Sequence, residues 1–190
     1  GLGHIMGFES ITRESVREAR KAPNLGKFDG YATQIKVLRD HGFQTWAAFT
    51  LGYDHDTVDS VRATLDFALE NRFTFAAFNI LMPYPGTPFY DRLAAEGRHL
   101  YGGEWWLHPE YRFNNAAYVP AQMTPDELTE ICFEARREFN KVSSLLWRFS
   151  DIKTNLRTLR RARAFWQFTP VFRREVFKKH GMQFGHFGAR

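Results

Sequence analysis

The sequence predicts an α/β chain in which short parallel strands alternate with amphipathic helices, followed by a basic helical extension. Three observations predict it. Two nearly continuous apolar runs, TWAAFTL at 45–51 and FTFAAFNILM at 73–82, read as strands buried in a parallel sheet. The segments around them carry apolar residues at helical spacing. From Arg148 onward the composition turns strongly basic.

Taken in order, the opening GLGHIM has no basic start, apolar stretch or small-residue cleavage site. Residues 1–5 read as a cloning scar, and the fold is expected to begin near Met6. A first strand is expected to end at Gly7 and Phe8, with most of its length missing. Helices are expected over 12–22, 27–41, 56–71 and 87–96. Tyr31, Ile35 and Leu38 share one face of the second; Val58, Val61, Leu65, Ala68 and Leu69 share one face of the third. Gly42 is placed to stop the second helix, and Asp56 is the expected N-cap of the third. Thr87 and Pro88 read as N-cap and first helical residue, with Gly97 just past the end. This strand–helix order gives parallel strands joined by right-handed crossovers.

Residues 98–123 read as irregular and aromatic, with Tyr101, Trp105, Trp106, Tyr111, Phe113 and Tyr118 interrupted by Gly102, Gly103, Pro109 and Pro120. Thr124-Pro125-Asp126-Glu127 is a capping box with proline at the first helical position. It starts a helix expected to run to residue 150, with Leu128, Ile131, Ala135, Val142, Leu145 and Leu146 available for packing. Two shorter helices are expected at 152–165 and 170–180. The chain therefore divides into residues 1–5, an α/β part over 6–122 and a helical extension over 123–190.

Composition narrows the function classes. A mean hydropathy of −0.44 and the lack of a long uncharged apolar run argue against a membrane-spanning helix. Cys132 is the single cysteine, so this chain can form neither an intramolecular disulfide nor an iron–sulfur or Cys-rich zinc site by itself. A reducing cytoplasm is the expected compartment. Residues 148–190 hold eleven Lys/Arg against Asp151 and Glu175, a net of +9, so the rest of the chain carries −4 of the total +5. The tail segment RTLRRARAFWQFTPVF at 157–172 mixes cations and aromatics, as an RNA-binding or membrane-surface element would. The favoured reading is plainer: a basic helix that packs its aromatics on the rest of the protein.

In a parallel sheet, ligands gather at the C-terminal ends of the strands. Gly7-Phe8-Glu9-Ser10, the loop from Leu51 through Gly52 to Thr57, and the segment from Met82 to Thr87 occupy that edge. Gly7 and Gly52 would let a flat ligand approach the backbone, and Glu9 offers a carboxylate to sugar hydroxyls. Pro83, Tyr84, Pro85, Gly86 and Thr87 form a stiff turn able to wall a substrate. Read alone, Glu9 is more often a cap or ion-pair residue, and Asp54, His55 and Asp56 read as a solvated turn and helix cap rather than a metal site.

The succession GFES, FTLGYDHDT, NILMPYPGTPFYDRLAAEGR resembles the second half of the radical SAM barrel, in the branch often found with an N-terminal cobalamin-binding domain. TPDEL resembles the helical extension of the same proteins. The resemblance covers 7 to about 135, and PYPGTPFY…EGR is its most specific part. It implies a partial, half TIM-type barrel of about three parallel strands. It also implies a parent enzyme that binds a 4Fe-4S cluster through CxxxCxxC, cleaves S-adenosylmethionine to a 5′-deoxyadenosyl radical, and in some members uses cobalamin. Carried over by position, Glu9 lies near the ribose and amino acid of S-adenosylmethionine, and Phe49, Leu51 and Gly52 lie along the adenine. Asn79 and Pro83 to Thr87 face the substrate.

The cluster cysteines, the first barrel strands and any cobalamin domain lie outside this sequence. The chain is therefore expected to be a fragment of a radical SAM oxidoreductase or methyltransferase, inactive alone, with no catalytic or metal-binding residue of its own and the missing N-terminal half as its partner. The alternatives are a free-standing binding module and a nucleic-acid-associated protein using the basic tail. Unpaired edges of a three-stranded sheet point to a homodimer, an exchange of elements, or coverage by the tail.

Overall fold

The computed structural model describes residues 3–20, 24 and 30–183. Three parallel strands, β1 (Gly3–Glu9), β2 (Gln44–Leu51) and β3 (Phe75–Ile80), lie in the order β1-β2-β3. Among the described residues there are seven α-helices: α1 (Arg13–Glu18), α2 (Tyr31–Asp40), α3 (Val58–Glu70), α4 (Pro88–Ala95), α5 (Pro125–Phe139), α6 (Val142–Phe149) and α7 (Leu159–Lys179). The α/β class and the count of three parallel strands match the sequence reading.

One face of the sheet makes the core. Phe8, Phe49 and Phe78, one from each strand, form a ladder whose neighbouring rings stack at 5.5 Å. Val61 and Leu65 of α3 and Leu128, Ile131 and Ala135 of α5 close over it. Burying one such phenyl ring is worth about 2–3 kcal/mol, and each ring pair adds about 1 kcal/mol. Residues before and after 123 share this core.

The opposite face is thinner. Along β2, buried Ala47, Phe49 and Leu51 alternate with half-buried Trp46, Ala48 and Thr50. The continuous apolar run thus does not mean full burial on both sides. Its second face is covered at the N-terminal ends of the strands by α7, where the Phe172 ring sits 4.1 Å from that of Phe75. This is the packing role favoured for the basic aromatic tail.

The two sheet edges are treated differently. The outer carbonyls of β3 and its lead-in are taken by buried arginines of the extension. Arg136 Nε donates to Phe78 O at 2.7 Å, and Arg148 Nη1 donates to Thr74 O at 2.7 Å and Phe73 O at 3.2 Å. Arg148 is 1% exposed and its guanidinium lies 3.8 Å from the Phe139 ring centre. At the other edge, Gly3, His4 and Ile5 of β1 are exposed, Ile5 at 72%.

Several boundaries differ from expectation. β1 runs seven residues and pairs Gly3 with Gln44, so residues 3–5, set aside as a scar, are part of the sheet. Asp56 does not cap α3; Thr57 does, in a reciprocal pair with Ser60, because Asp56 turns back into its own loop. α1 ends at Glu18 and α2 begins at Tyr31, with 21–23 and 25–29 outside the described residues.

The helix expected over 124–150 breaks at Asn140. The carbonyls freed there are taken by tertiary donors: Ser144 Oγ and Arg148 Nη2 on Phe139 O, and Arg173 Nε on Asn140 O. Val142 and Leu146, expected to pack, are exposed. The two helices expected at 152–165 and 170–180 are replaced by turns and one helix, α7, which continues through Pro170. Buried Phe165 and Thr169 before the proline and Phe172 after it hold both halves on the body of the protein, offsetting the lost backbone bond.

Candidate functional site at the strand ends

At the C-terminal ends of the strands the thin face opens into a groove. Glu9, Thr50 and Asn79, one per strand, make a polar row across it. Thr50 Oγ1 donates to Glu9 Oε2 at 2.9 Å, and Thr50 pairs in register with Asn79. Glu9 has φ +62°, a left-handed conformation at an irregularity in the β1 ladder. Beyond Asn79 lies a cavity of about 540 Å³ walled by Met82, Tyr84, Trp105, Tyr111 and Phe113.

That aromatic wall comes from the irregular segment. Trp105 Nε1 donates to Pro83 O at 3.0 Å, and the Trp105 ring stands edge-on to Tyr84 at 5.9 Å. Tyr111 is 2% exposed and its hydroxyl donates to Asn115 O at 3.2 Å. Burial pushes the Tyr111 hydroxyl pKa well up, so it stays protonated at neutral pH. Phe113 N donates to Met182 O at 2.7 Å, which ties the turn after α7 to the groove wall.

The loop after β2 is held by a dense polar network. Asp56 Oδ2 accepts from the amides of Gly52 and Tyr53 at 2.8 and 3.1 Å, and Asp56 Oδ1 accepts from Ser15 Oγ at 2.6 Å. Burial raises the Asp56 pKa despite those bonds. Asp54 has the opposite fate: Arg92 and Arg98 both donate to it, and their bonds outweigh its burial and lower its pKa. Arg92 also pairs with Glu18 at 2.7 Å, so α1, the loop and α4 are clamped together. Asp54 and Asp56 are therefore buried or ion-paired rather than solvated. Among the described residues no group of three or more His, Cys, Asp or Glu could hold a metal ion.

The structure places the sequence-derived candidates in three settings. Glu9 and Asn79 lie on the groove, with Tyr84 57% exposed at its mouth. Pro83 is buried under Trp105, Pro85 and Gly86 are exposed, and Thr87 caps α4 by accepting from Tyr90 N at 3.3 Å. Phe49 and Leu51 point their side chains into the core, leaving only backbone for any ligand.

Gly52 is enclosed by its own chain. A Cβ there would lie 2.4 Å from Tyr118 Oη and 2.8 Å from Leu128 Cδ2, and Tyr118 already donates to Gly52 O at 2.5 Å. The space expected to admit a flat ligand is filled by Tyr118. Thr50, Trp105, Tyr111, Phe113 and Asn114 line the groove without having been singled out as contacts. The aromatic density of 98–123 was the available signal.

The chain is similar to methyltransferases. It is 28% identical over 150 residues to the bacteriochlorophyllide d C-12(1)-methyltransferase of Chlorobaculum tepidum, covering 79% of this chain and 31% of that protein. The bacteriochlorophyllide d C-8(2)-methyltransferase of the same organism is 27% identical over 93 residues, 49% of this chain and 20% of that one. The hopanoid C-2 methylase of Rhodopseudomonas palustris is 25% identical over 85 residues, 45% of this chain and 15% of that one. No protein-family model matches. The chain spans about a third or less of the length of these curated relatives.

Proposed function

We propose that this chain is part of a radical SAM methyltransferase, the second half of its barrel with the helical extension, in which the groove at the strand ends faces S-adenosylmethionine and the methyl acceptor. The observation that carries this reading is the 150-residue similarity to a bacteriochlorophyllide d methyltransferase, which takes in most of the chain. The open polar row of Glu9, Thr50 and Asn79 beneath an aromatic wall gives that reading a place to act.

The residues present fit part of such a site. Glu9 stands at a strand end with its carboxylate beside Thr50, suited to ribose hydroxyls or an ammonium group. The backbone of β2 past Phe49 is the element that would run along the adenine. The residues do not fit the 4Fe-4S cluster: Cys132 is fully buried against Phe78 O and burial raises its pKa, so it is neither exposed nor thiolate. Cluster ligands, and any cobalamin domain, would come from another part of the parent protein. In this reading the exposed edge of β1 is where that part joins, while the arginine-covered edge of β3 closes the sheet. The chain alone is inactive, its compartment is the cytoplasm, and the extension serves the barrel rather than nucleic acid.

The test is anaerobic reconstitution with iron and sulfide of this chain and of the longer product of its gene, each assayed for cluster absorbance and S-adenosylmethionine cleavage. The longer product is expected to show both, and the 190-residue chain neither. A cluster band from the short chain would sink the reading, and so would a gene that encodes no CxxxCxxC segment.

A further inference from the structure

Where the groove runs down between β3 and α7, it continues into a second cavity of about 190 Å³ that shares Asn79, Phe113 and Asn114 with the first. Its chemistry is unlike that of the aromatic wall. Arg136 lines it, is 8% exposed, and spends Nε on Phe78 O. Its Nη2 is buried and has no hydrogen-bond partner among the described residues, and no ion pair forms to its guanidinium among them. A buried cationic donor left unmade is costly, and an acceptor that reaches the Arg136 guanidinium from the cavity relieves that cost.

The surroundings specify the acceptor. Lys179 also lines the cavity, paired with Glu175 at 3.2 Å, so the local balance of Arg136, Lys179 and Glu175 is one positive charge. Asn79 and Asn114 supply amide donors and acceptors, while Phe113 and Phe172 supply flat apolar walls. A planar anion answered by a guanidinium fork is a carboxylate. The space suits an aromatic group, since an apolar cavity of about 150 Å³ takes benzene.

We propose that this cavity binds the carboxylate end of an aromatic ligand, with Arg136 as its anchor. The binding claim stands on the cavity alone. Naming that ligand as the methyl acceptor rests on the methyltransferase reading.

The experiment is NMR titration of the 190-residue chain with phenylacetate and with its neutral isostere phenylacetamide. Phenylacetate is expected to bind about ten- to hundredfold more tightly, the range of one charged hydrogen-bonded contact. Nuclear Overhauser contacts should run from its ring to Phe113 and Phe172, and Arg136→Gln should erase the preference. Arg136→Lys, which keeps the charge on an unforked head, should retain part of it. Equal binding of acid and amide, contacts elsewhere, or a preference that survives Arg136→Gln would overturn the site. If Arg136→Gln does not fold, the wild-type preference and the ring contacts decide alone. Added S-adenosylmethionine should leave phenylacetate in place; competition would make the carboxylate the cofactor's and overturn the assignment to the acceptor. Because these readouts involve no cluster and no turnover, their failure is distinct from failure of the methyltransferase reading.

Discussion

Replacing Gly52 by alanine separates two explanations for a glycine at a strand end. Gly52 has φ +103°, and a Cβ there would meet Tyr118 Oη at 2.4 Å and Leu128 Cδ2 at 2.8 Å. A non-glycine residue in that backbone conformation costs about 1–3 kcal/mol. Overpacking a closed core site adds about 1–3 kcal/mol more. Gly52→Ala should therefore cost about 3 kcal/mol or more, lowering Tm by about 6–12 °C for a chain of this size. Tyr118→Phe removes the nearest clashing atom, at a cost of about 1–2 kcal/mol for the carbonyl it leaves unpaired. The double variant should then be more stable than the sum of the two single losses, by about 1 kcal/mol or more. The assay is urea unfolding of all four proteins, read by tryptophan fluorescence and circular dichroism. A Gly52→Ala variant within about 0.5 kcal/mol of the parent would refute the packing account and return Gly52 to the role of admitting a ligand.

The remaining predictions concern the polar network, the edge arginine and the thiol. Asp56→Ala leaves the buried amides of Gly52 and Tyr53 without an acceptor and should cost about 3 kcal/mol, whereas Asp56→Asn can still accept from both and should cost about 1 kcal/mol. Asp54 is held below the usual carboxylate range, so its stabilising contribution is full above that range and is lost as pH falls from that range through the lowered folded-state value. Asp54→Asn should accordingly flatten the acid limb of a Tm-versus-pH curve. Arg148→Met strips donors from Phe73, Thr74 and Phe139 carbonyls and should destabilise by about 3 kcal/mol, measured by denaturant midpoint. Cys132 should resist iodoacetamide in the native chain and react only on unfolding, since it is buried with its pKa raised.

What the sequence disclosed divides along the range of the forces involved. The starts of α4 and α5 were legible because capping is local: Thr87 accepts from Tyr90 N, and Thr124 and Glu127 close their reciprocal pair. Asp56 misled by one residue because a side chain before a helix has competing donors, and the amides of Gly52 and Tyr53 won. The break at Asn140 had no local signal, since the donors that stabilise it come from Arg148 and Arg173. Strands β2 and β3 were legible as apolar runs. The openness of their second face was not, because Ala48 and Ala77 read as core residues when nothing in the sequence says which face is covered. Of the candidate groove, Glu9 is placed by its strand end and Asn79 by the family resemblance, whereas Arg136 looks like any cation on an amphipathic helix until the cavity beside it is seen.

The most direct test of the central claim is photolabelling of the reconstituted longer gene product with an azido-adenine analogue of S-adenosylmethionine, followed by peptide mapping. The account predicts label in the peptide that carries β2 and the loop through Thr57, competed away by S-adenosylmethionine. Label confined to peptides outside residues 3–183, or label here that S-adenosylmethionine does not displace, would contradict it.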